Sequence, residues 1–199
     1  MKGLSTVHIL NYNCEGLINK QYNTDFVDYI TKFDLICLTE THMTSEDFDK
    51  EEFPNHEVYI SDGTKIPGTH GRLSGGVIVL IKSNINKYFQ VLKCNTKNCV
   101  AVKVKKELLI NMEDTVIIGC YLPPQDSPYW KISTDGYGLE ILEKCMLDIY
   151  ETIGEFKFLI IGNLNARTSS LNMLNLDCDE ELQQDNAMQT DFPRQSDRG

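Results

Sequence analysis

Short apolar runs bounded by polar loops recur along the chain and predict a series of strands. Each run has the length of a strand, and several are rich in valine and isoleucine, which suit a pleated surface. An apolar run without alternation is typical of a strand covered on both faces, so the runs at 34–39, 115–121 and 156–162 predict buried strands. The predicted strands are VHIL (7–10), DLICLT (34–39), EVYIS (57–61), GVIVLIK (76–82), YFQVLK (88–93), CVAVKV (99–104), TVIIGCY (115–121) and FKFLIIG (156–162).

Two other segments have apolar residues at helical spacing. Between these two segments along the chain, the four runs from residue 57 to residue 104, with a glycine-rich turn at 68–76, predict a group of antiparallel strands. The first helix has either Asn23 or Thr24 available as its cap. Its predicted apolar face is Tyr22, Phe26, Tyr29 and Ile30, and that of the second helix is Leu139, Ile141, Leu142, Cys145, Met146, Ile149 and Tyr150.

Four of the predicted strands end in residues that could bind a metal ion or a phosphate. If the strands share a direction, these side chains meet at one sheet edge, where ligands commonly bind in α/β proteins. The simpler interpretation is that polar residues cap strands wherever strands end. The residues are Asn13 and Glu15 after the first run, Glu40 after the second, Tyr121 at the end of 115–121, and Asn163 and Asn165 after the last.

Glu40 distinguishes the two interpretations best. A carboxylate at the end of a buried strand is costly unless it is paired or holds a cation. Mg²⁺ commonly uses one or two carboxylates with water completing its shell, and Mn²⁺ suits the same oxygen ligands. Glu40 is therefore a candidate metal ligand.

Composition and charge limit the classes of function. With 199 residues and 41% hydrophobic content, the chain predicts a soluble globular domain. No apolar run reaches the length of a membrane span, so we expect an intracellular protein, nuclear or cytoplasmic, without a membrane partner. The formal net charge of −10 would repel a polyanion and counts against tight nucleic-acid binding. The seven cysteines lie mostly in apolar runs and predict buried free thiols.

Five motifs in this chain resemble those of the endonuclease/exonuclease/phosphatase superfamily, and most closely the apurinic-type endonuclease domain of non-LTR (LINE-like) retrotransposons. Each motif is weak alone, but their order is informative. They are YNCEGL (12–17), LICLTETH (35–42), GRLSGGVIVLIK (71–82), IGCYLPPQDSPYW (118–130) and IIGNLNART (160–168).

The resemblance implies a fold and a reaction. The fold would be a four-layer α/β sandwich with two mixed sheets face to face and helices outside. The reaction would be attack of water on a DNA phosphodiester with Mg²⁺ or Mn²⁺ as cofactor. By the same resemblance, Asn13 and Glu40 would bind the metal with Glu15 beside them, Tyr121 would contact the phosphate, Asn165 would hold the attacking group, and Arg167 would pack nearby.

One position departs from the superfamily motif at the point that matters most for hydrolysis. The family has an aspartate where this chain has Asn163, and that aspartate deprotonates the attacking water. An amide cannot accept this proton, and loss of a general base typically costs about 10²–10⁴ in rate. We therefore expect weak or absent hydrolysis.

The carboxy-terminal part also departs from the family pattern. Two closing strands with an aspartate and a Ser-Asp-His motif would follow, whereas Arg198 comes after Ser196 and Asp197 here. We therefore expect residues 1–199 to be a partial domain that lacks those strands, with 170–199 as a poorly ordered polar tail. His8, His42, His56 and His70 are expected at the surface.

Three functions remain open from the sequence. The first is a DNA-nicking domain whose natural product continues beyond Gly199. The second is another hydrolase of the superfamily, acting on a phospholipid, an inositol phosphate or an RNA tail. The third is a non-catalytic remnant or binding module that keeps the fold.

Overall fold

The computed structural model describes residues 6–67, 71–108 and 113–165, and its elements follow the apolar pattern of the sequence. The helices are α1 (Thr24–Ile30) and α2 (Glu140–Ile153), with 3-10 turns at Lys20–Tyr22, Lys50–Glu52, Asn86–Tyr88 and Pro128–Lys131. The strands are β1 (Ile9–Asn13), β2 (Leu35–Thr39), β3 (His56–Ser61), β4 (Thr64–Lys65), β5 (Leu73–Ser74), β6 (Val77–Lys82), β7 (Phe89–Leu92), β8 (Cys99–Val104), β9 (Thr115–Tyr121) and β10 (Lys157–Asn163).

These strands form two mixed four-stranded sheets and one small hairpin. The first sheet has the order β1-β2-β6-β3 and the second the order β10-β9-β8-β7, while β4 pairs with β5. The pairs β1–β2 and β10–β9 are parallel, and the other pairs in these sheets are antiparallel. The predicted group of antiparallel strands is therefore divided, because β3 and β6 belong to one sheet and β7 and β8 to the other.

The two sheets pack face to face, and a helix covers each outer face. Alternate residues of a strand point to opposite faces. In β2, Leu35 and Cys37 therefore join Val102 and Ile117 of the second sheet in the central core, whereas Ile36 packs in the cluster beneath α1. This is the predicted four-layer α/β sandwich. It explains why every residue of β2 is buried, as the continuous apolar run predicts.

Each helix presents a narrower apolar face than the sequence predicts. The Asn23 side chain accepts a hydrogen bond from the backbone N–H of Phe26 and caps α1. Ile30 is buried, but Tyr22 and Tyr29 are exposed. Tyr22 lies in the turn before α1 rather than within the helix. The residues of α2 buried against the second sheet are Ile141, Leu142, Cys145 and Ile149, with Met146 partly buried beside them, whereas Leu139 just before the helix and Tyr150 are exposed.

The prediction of a buried strand at 156–162 is wrong. Phe158 and Leu159 of β10 are 50% and 43% exposed, respectively. Among the described residues β10 pairs with β9 on one side only, so it is an edge strand. An apolar run cannot by itself distinguish an edge strand from a central one.

The sequence also led to expectations about membrane spans and about the carboxy-terminal tail. Neither helix in the described part of the chain is long and apolar enough to cross a membrane. The polar tail predicted at 170–199 lies outside the described residues. The expectation that the closing strands are missing concerns the same part of the chain.

Candidate functional site

The carboxyl ends of four strands meet at one edge of the sandwich. β1 runs parallel to β2 in one sheet and β10 runs parallel to β9 in the other, so each pair delivers its final residues to the same end. Asn11 Nδ2 of β1 donates a hydrogen bond of 3.0 Å to the carbonyl oxygen of Gly162 in β10, which joins the two sheets there. The polar residues that follow these strands therefore lie together.

The carboxylate of Glu40 is at the centre of this group. Its Oε1 atom accepts one hydrogen bond of 2.9 Å from Nδ2 of Asn13 and another of 2.9 Å from Nδ2 of Asn163. The Glu40 side chain is 19% exposed, so it remains open to a small ligand. Three of the residues predicted from strand ends are thus in direct contact.

The orientation of both amides is set by the backbone. Asn13 Oδ1 accepts from the N–H of Glu15 at 3.0 Å, and Asn163 Oδ1 accepts from the N–H of Asn165 at 3.0 Å. Because each carbonyl oxygen accepts from a backbone N–H, each NH₂ group points toward Glu40. Asn163 is a hydrogen-bond donor in this site, a role that an ionised aspartate cannot fill.

The loops that carry these residues hold an unusual backbone conformation. Positive φ angles of 47°, 51°, 53° and 44° occur at Glu15, Glu40, His42 and Asn165. Such angles are uncommon for residues other than glycine, and they tend to cluster at functional sites. Backbone hydrogen bonds support them, including one of 2.8 Å from Gly16 N to the Glu40 carbonyl oxygen.

Tyr121 lies beside Glu40 at the end of β9 and is only 5% exposed. Burial, and then the charge of Glu40, raise the pKa of Tyr121 to about 12, against the opposing effects of a hydrogen bond with Asn165 and the charge of Arg72. The phenol therefore keeps its proton at neutral pH and can donate a hydrogen bond. Asn165 also donates through Nδ2 to the Leu122 carbonyl oxygen at 2.8 Å, which fixes its side chain next to Tyr121.

Two residues that sequence reasoning left out also approach the site. The prediction that His42 lies at the surface is wrong, because its side chain is 12% exposed and its Nε2 atom is 3.8 Å from Glu40 Oε2. Burial, and then the charge of Arg72, lower the pKa of His42, although the charge of Glu40 and the nearby backbone of Leu73 act in the opposite direction. Arg72 donates to the Glu15 carbonyl oxygen at 3.5 Å. His42 belongs to the motif LICLTETH (35–42) and Arg72 to the motif GRLSGGVIVLIK (71–82), both identified in the sequence.

Asn98 is a third residue that no strand-end argument identified. It is fully buried and has a φ of 61°. Its Oδ1 atom accepts from Gly76 N at 3.1 Å, its N–H donates to Ser61 Oγ at 2.9 Å, and its carbonyl oxygen accepts from Tyr121 N at 2.9 Å. A Cβ atom at Gly75 would lie 2.3 Å from Asn98 Oδ1. Asn98 therefore holds Tyr121 and the turn before β6 in fixed positions.

The donor set of the site fits a divalent cation held by few protein ligands. No group of three or more His, Cys, Asp or Glu side chains within the described residues could hold a metal ion. Mg²⁺ nevertheless accepts one carboxylate together with water and phosphate oxygens. Glu40 meets that requirement, since both amide hydrogen bonds end on Oε1 rather than Oε2. Arg167, predicted to pack nearby, lies outside the described residues.

Comparison with known proteins shows the family of this chain. The model of the endonuclease/exonuclease/phosphatase family matches residues 10–187, which is most of the chain. The chain belongs to this family. The family assignment agrees with the predicted resemblance at the level of the superfamily. A search of curated proteins found no match.

Solved structures of endonuclease/exonuclease/phosphatase proteins share the fold. The catalytic domain of Xenopus laevis APE2 aligns with a TM-score of 0.54 and 16% identity, over 79% of this chain and 58% of that one. The 3′ phosphatase NExo from Neisseria, bound to a product DNA hairpin, aligns at 0.52 and 12%, over 80% and 58%. An AP endonuclease from Archaeoglobus fulgidus aligns at 0.50 and 14%, over 81% and 58%.

At these identities the likeness to solved structures concerns the fold alone. The chain spans 58% of the length of each of these three proteins. Roles for individual residues of this endonuclease/exonuclease/phosphatase chain must therefore be argued from its own geometry.

Proposed function

We propose that this chain is a retrotransposon-type endonuclease domain that engages a DNA phosphodiester at Glu40, Tyr121 and Asn165, and that hydrolyses it poorly because of Asn163. The observation that carries the proposal is the double amide contact on Glu40 Oε1, at 2.9 Å from both Asn13 and Asn163. It supports a role for residue 163 at the reaction centre, where this chain has an amide instead of the general base that the resemblance implies.

Two side chains suit a phosphate group at this edge. The buried hydroxyl of Tyr121 keeps its proton and can donate to a non-bridging phosphate oxygen. Arg72, whose charge acts on Tyr121, adds positive charge to a region that otherwise contains Glu15 and Glu40. Hydrogen-bond donors fixed in place before the reaction stabilise charge that develops in the transition state. Asn165, held by its bond to Leu122, is placed to hold the attacking group.

The divalent cation on which this family generally depends would be held by Glu40 and, after rotation of its amide, by Asn13. We propose Mg²⁺ or Mn²⁺. When bound, it neutralises charge on the phosphate and stabilises the leaving oxygen. Glu15 follows Asn13 and would support the loop that carries it, since its N–H orients the Asn13 amide.

The defect follows from what Asn163 can and cannot do. Its Oδ1 atom is engaged by the N–H of Asn165, and its NH₂ group donates to Glu40. Neither group can take a proton from a water molecule. The expected loss is about 10²–10⁴ in rate relative to an aspartate.

A second function is a non-catalytic remnant or binding module, and the same contact favours it. With two amide donors on Glu40, the carboxylate is partly stabilised without any cation. The net charge of −10 weakens attraction to DNA in either case. The motifs GRLSGG and YLPPQDSPY favour a retrotransposon origin over a superfamily member acting on phospholipid, inositol phosphate or RNA.

The test is nicking of supercoiled plasmid DNA in Mg²⁺ and, separately, in Mn²⁺. The wild-type chain is compared with Asn163→Asp, with Glu40→Gln, and with the double variant as the matched control. We expect weak or absent nicking by the wild type, a gain of at least tenfold in Asn163→Asp, and loss of that gain in the double variant.

Other results would assign a different function. Wild-type nicking at the rate of the Asn163→Asp variant would contradict the proposed role of Asn163. No nicking by either protein, with retained binding to a labelled duplex, would favour the binding module. Release of inorganic phosphate from a 3′-phosphorylated oligonucleotide without nicking would favour a phosphatase.

A further inference from the structure

Two thiols lie close together on the side of the second sheet that faces α2. Cys94 Sγ donates a hydrogen bond to Cys145 Sγ at 2.9 Å, between residues 51 positions apart in sequence. A covalent S–S bond measures about 2.05 Å, so the two sulfur atoms need approach by less than about 1 Å to form one. Cys94 lies between β7 and β8, and Cys145 lies in α2.

Polar contacts already fix the segment of Cys94 against α2. Asn95 N donates to Asp148 Oδ2 at 3.0 Å, and Asp148 is one turn of α2 beyond Cys145. Lys97 N donates to Asp135 Oδ2 at 3.0 Å, and that carboxylate also pairs with Lys144 Nζ at 2.8 Å. The closeness of the two thiols is therefore held by neighbours on both sides of the pair.

The two cysteines differ in their exposure to solvent. Cys94 is partly exposed, whereas Cys145 is fully buried. Cys99 interacts with Cys145 as well, but it is itself buried. An oxidant in solution therefore reaches Cys94 first, and Cys145 is placed to react with whatever forms on it.

We propose that Cys94 and Cys145 are an oxidative modification site, and that they form a reversible disulfide in the folded protein. With glutathione disulfide as the oxidant, the Cys94 thiolate attacks one of its sulfur atoms and releases one glutathione thiolate. The Cys145 thiolate, after its proton has passed to solvent, attacks Cys94 Sγ and releases the second. The protein loses two electrons and two protons, and the glutathione disulfide becomes two glutathione molecules.

The surroundings of Cys94 set the rate of this reaction. The hydrogen bond with Cys145, followed by burial, raises the pKa of Cys94 above its ordinary value. Only the thiolate attacks, so the reaction is slower than that of an exposed cysteine and accelerates as the pH rises. This favours a site that responds to sustained oxidation rather than to brief exposure.

The bridge would join the chain segment that leads to Asn98 to α2. Cys94 stands four positions before Asn98, the residue that holds Tyr121 and the turn before β6. A disulfide here closes a long loop and lowers the conformational freedom of the unfolded chain. We expect oxidation to raise the midpoint of thermal unfolding, Tm, by roughly 5–10 °C.

The experiment treats the native full chain with glutathione disulfide at pH 8, alkylates the remaining thiols, and maps linked peptides by mass spectrometry. We expect a Cys94–Cys145 peptide, a higher Tm, and reversal of both by dithiothreitol. Cys94→Ser and Cys145→Ser should lose the linked peptide and the Tm shift, whereas the matched control Cys99→Ser should keep both.

Three results would overturn the proposal. One is a Cys99–Cys145 peptide in place of the expected one. Another is glutathione that remains attached to Cys94 without transfer to Cys145. The third is a Cys94–Cys145 link that forms only in denaturant. Because Cys94 is partly exposed, its serine variant is expected to fold even if replacement of the buried Cys145 disturbs packing.

Discussion

Asn163 Nδ2 in the second sheet donates a hydrogen bond of 2.9 Å to Glu40 Oε1 at the end of β2 in the first sheet. The bond joins the two halves of the sandwich at the point where the candidate site lies. It also gives the largely buried carboxylate of Glu40 a hydrogen-bond partner that carries no charge. The chemistry of this edge therefore depends on whether residue 163 donates or accepts.

The Asn163→Asp variant should depend on a divalent cation for its stability. Two carboxylates at this separation repel each other, which raises one pKa or recruits a cation. We expect a loss of about 1–3 kcal/mol in EDTA and recovery in millimolar MgCl₂. Chemical denaturation in both buffers measures it. The control Asn163→Ala removes the donor without adding charge and should show no recovery, and equal Mg²⁺ stabilisation of the wild type would contradict this prediction.

Gly162 should tolerate no side chain. A Cβ atom there would lie 1.8 Å from the carbonyl oxygen of Cys120 in β9, and the residue has a φ of 143°. We expect Gly162→Ala to cost at least about 3 kcal/mol, because the parallel pair must separate or the strand must shift. Gly138 has a φ of 59° and open space around it. The control Gly138→Ala should therefore cost only about 1–2 kcal/mol, and similar losses in the two variants would contradict this prediction.

The side chain of Asn98 should contribute to the stability of the fold. Asn98→Ala removes the acceptor of Gly76 N inside the protein, and we expect a loss of about 1–3 kcal/mol. The nearby Asn95 is exposed, and Asn95→Ala should change stability by less than about 0.5 kcal/mol. Urea denaturation of the two variants compares them. Equal losses of stability in the two variants would show that the hydrogen bond from Gly76 N to Asn98 Oδ1 does not stabilise the fold.

His56 should make the protein less stable as the pH falls below about 6.5. Burial, and then the charge of Lys82, lower the pKa of His56, and the nearby backbone of Phe33 acts in the opposite direction. The folded state therefore binds this proton less readily than the unfolded state does, and the stabilisation is fully present above the unfolded pKa. Asp28 and Glu52 line the same surface depression as His56.

The measurement compares the free energy of unfolding at pH 7.5 and at pH 5.0 for the wild type and for His56→Gln. We expect the wild type to lose more stability than the variant over this interval, because only the wild type must take up a proton at this buried position. An equal slope in both proteins would show that other groups govern the acid sensitivity.

Apolar runs in the sequence predicted most strands, because a strand in a packed sheet needs an apolar face, whereas the layered fold was predicted from the resemblance to the family. The apolar run could not reveal that, in the part of the chain that the structure describes, β10 has a neighbour on one side only, since Phe158 and Leu159 give the same pattern in an edge strand and in a central one. Apolar runs also could not divide the group of antiparallel strands, because pairing between β3 and β6 or β7 and β8 depends on contacts between distant residues.

The meeting of Asn13, Glu40 and Asn163 followed from the rule that parallel strands end together. The direction of the two amides did not, because it depends on the backbone N–H groups of Glu15 and Asn165. Asn98 was likewise invisible, since a buried asparagine between two strands has no periodic signal. Sequence reasoning thus predicted which residues meet, whereas the structure supplied which atoms they offer.

Within the described residues β10 has one edge without a neighbouring strand, and this edge gives the acidic composition a further consequence. An unpaired edge with apolar side chains can recruit a strand from another molecule, and natural sheets oppose this with charge. Lys157 at the start of β10 is one such charge. Its ion pair with Glu113 at 2.8 Å partly neutralises it and so weakens its ability to repel another strand. The net charge of −10 then keeps molecules apart at low salt. The acidity that weakens attraction to DNA is also what should keep this protein monodisperse in solution, and concentrated salt should remove that protection.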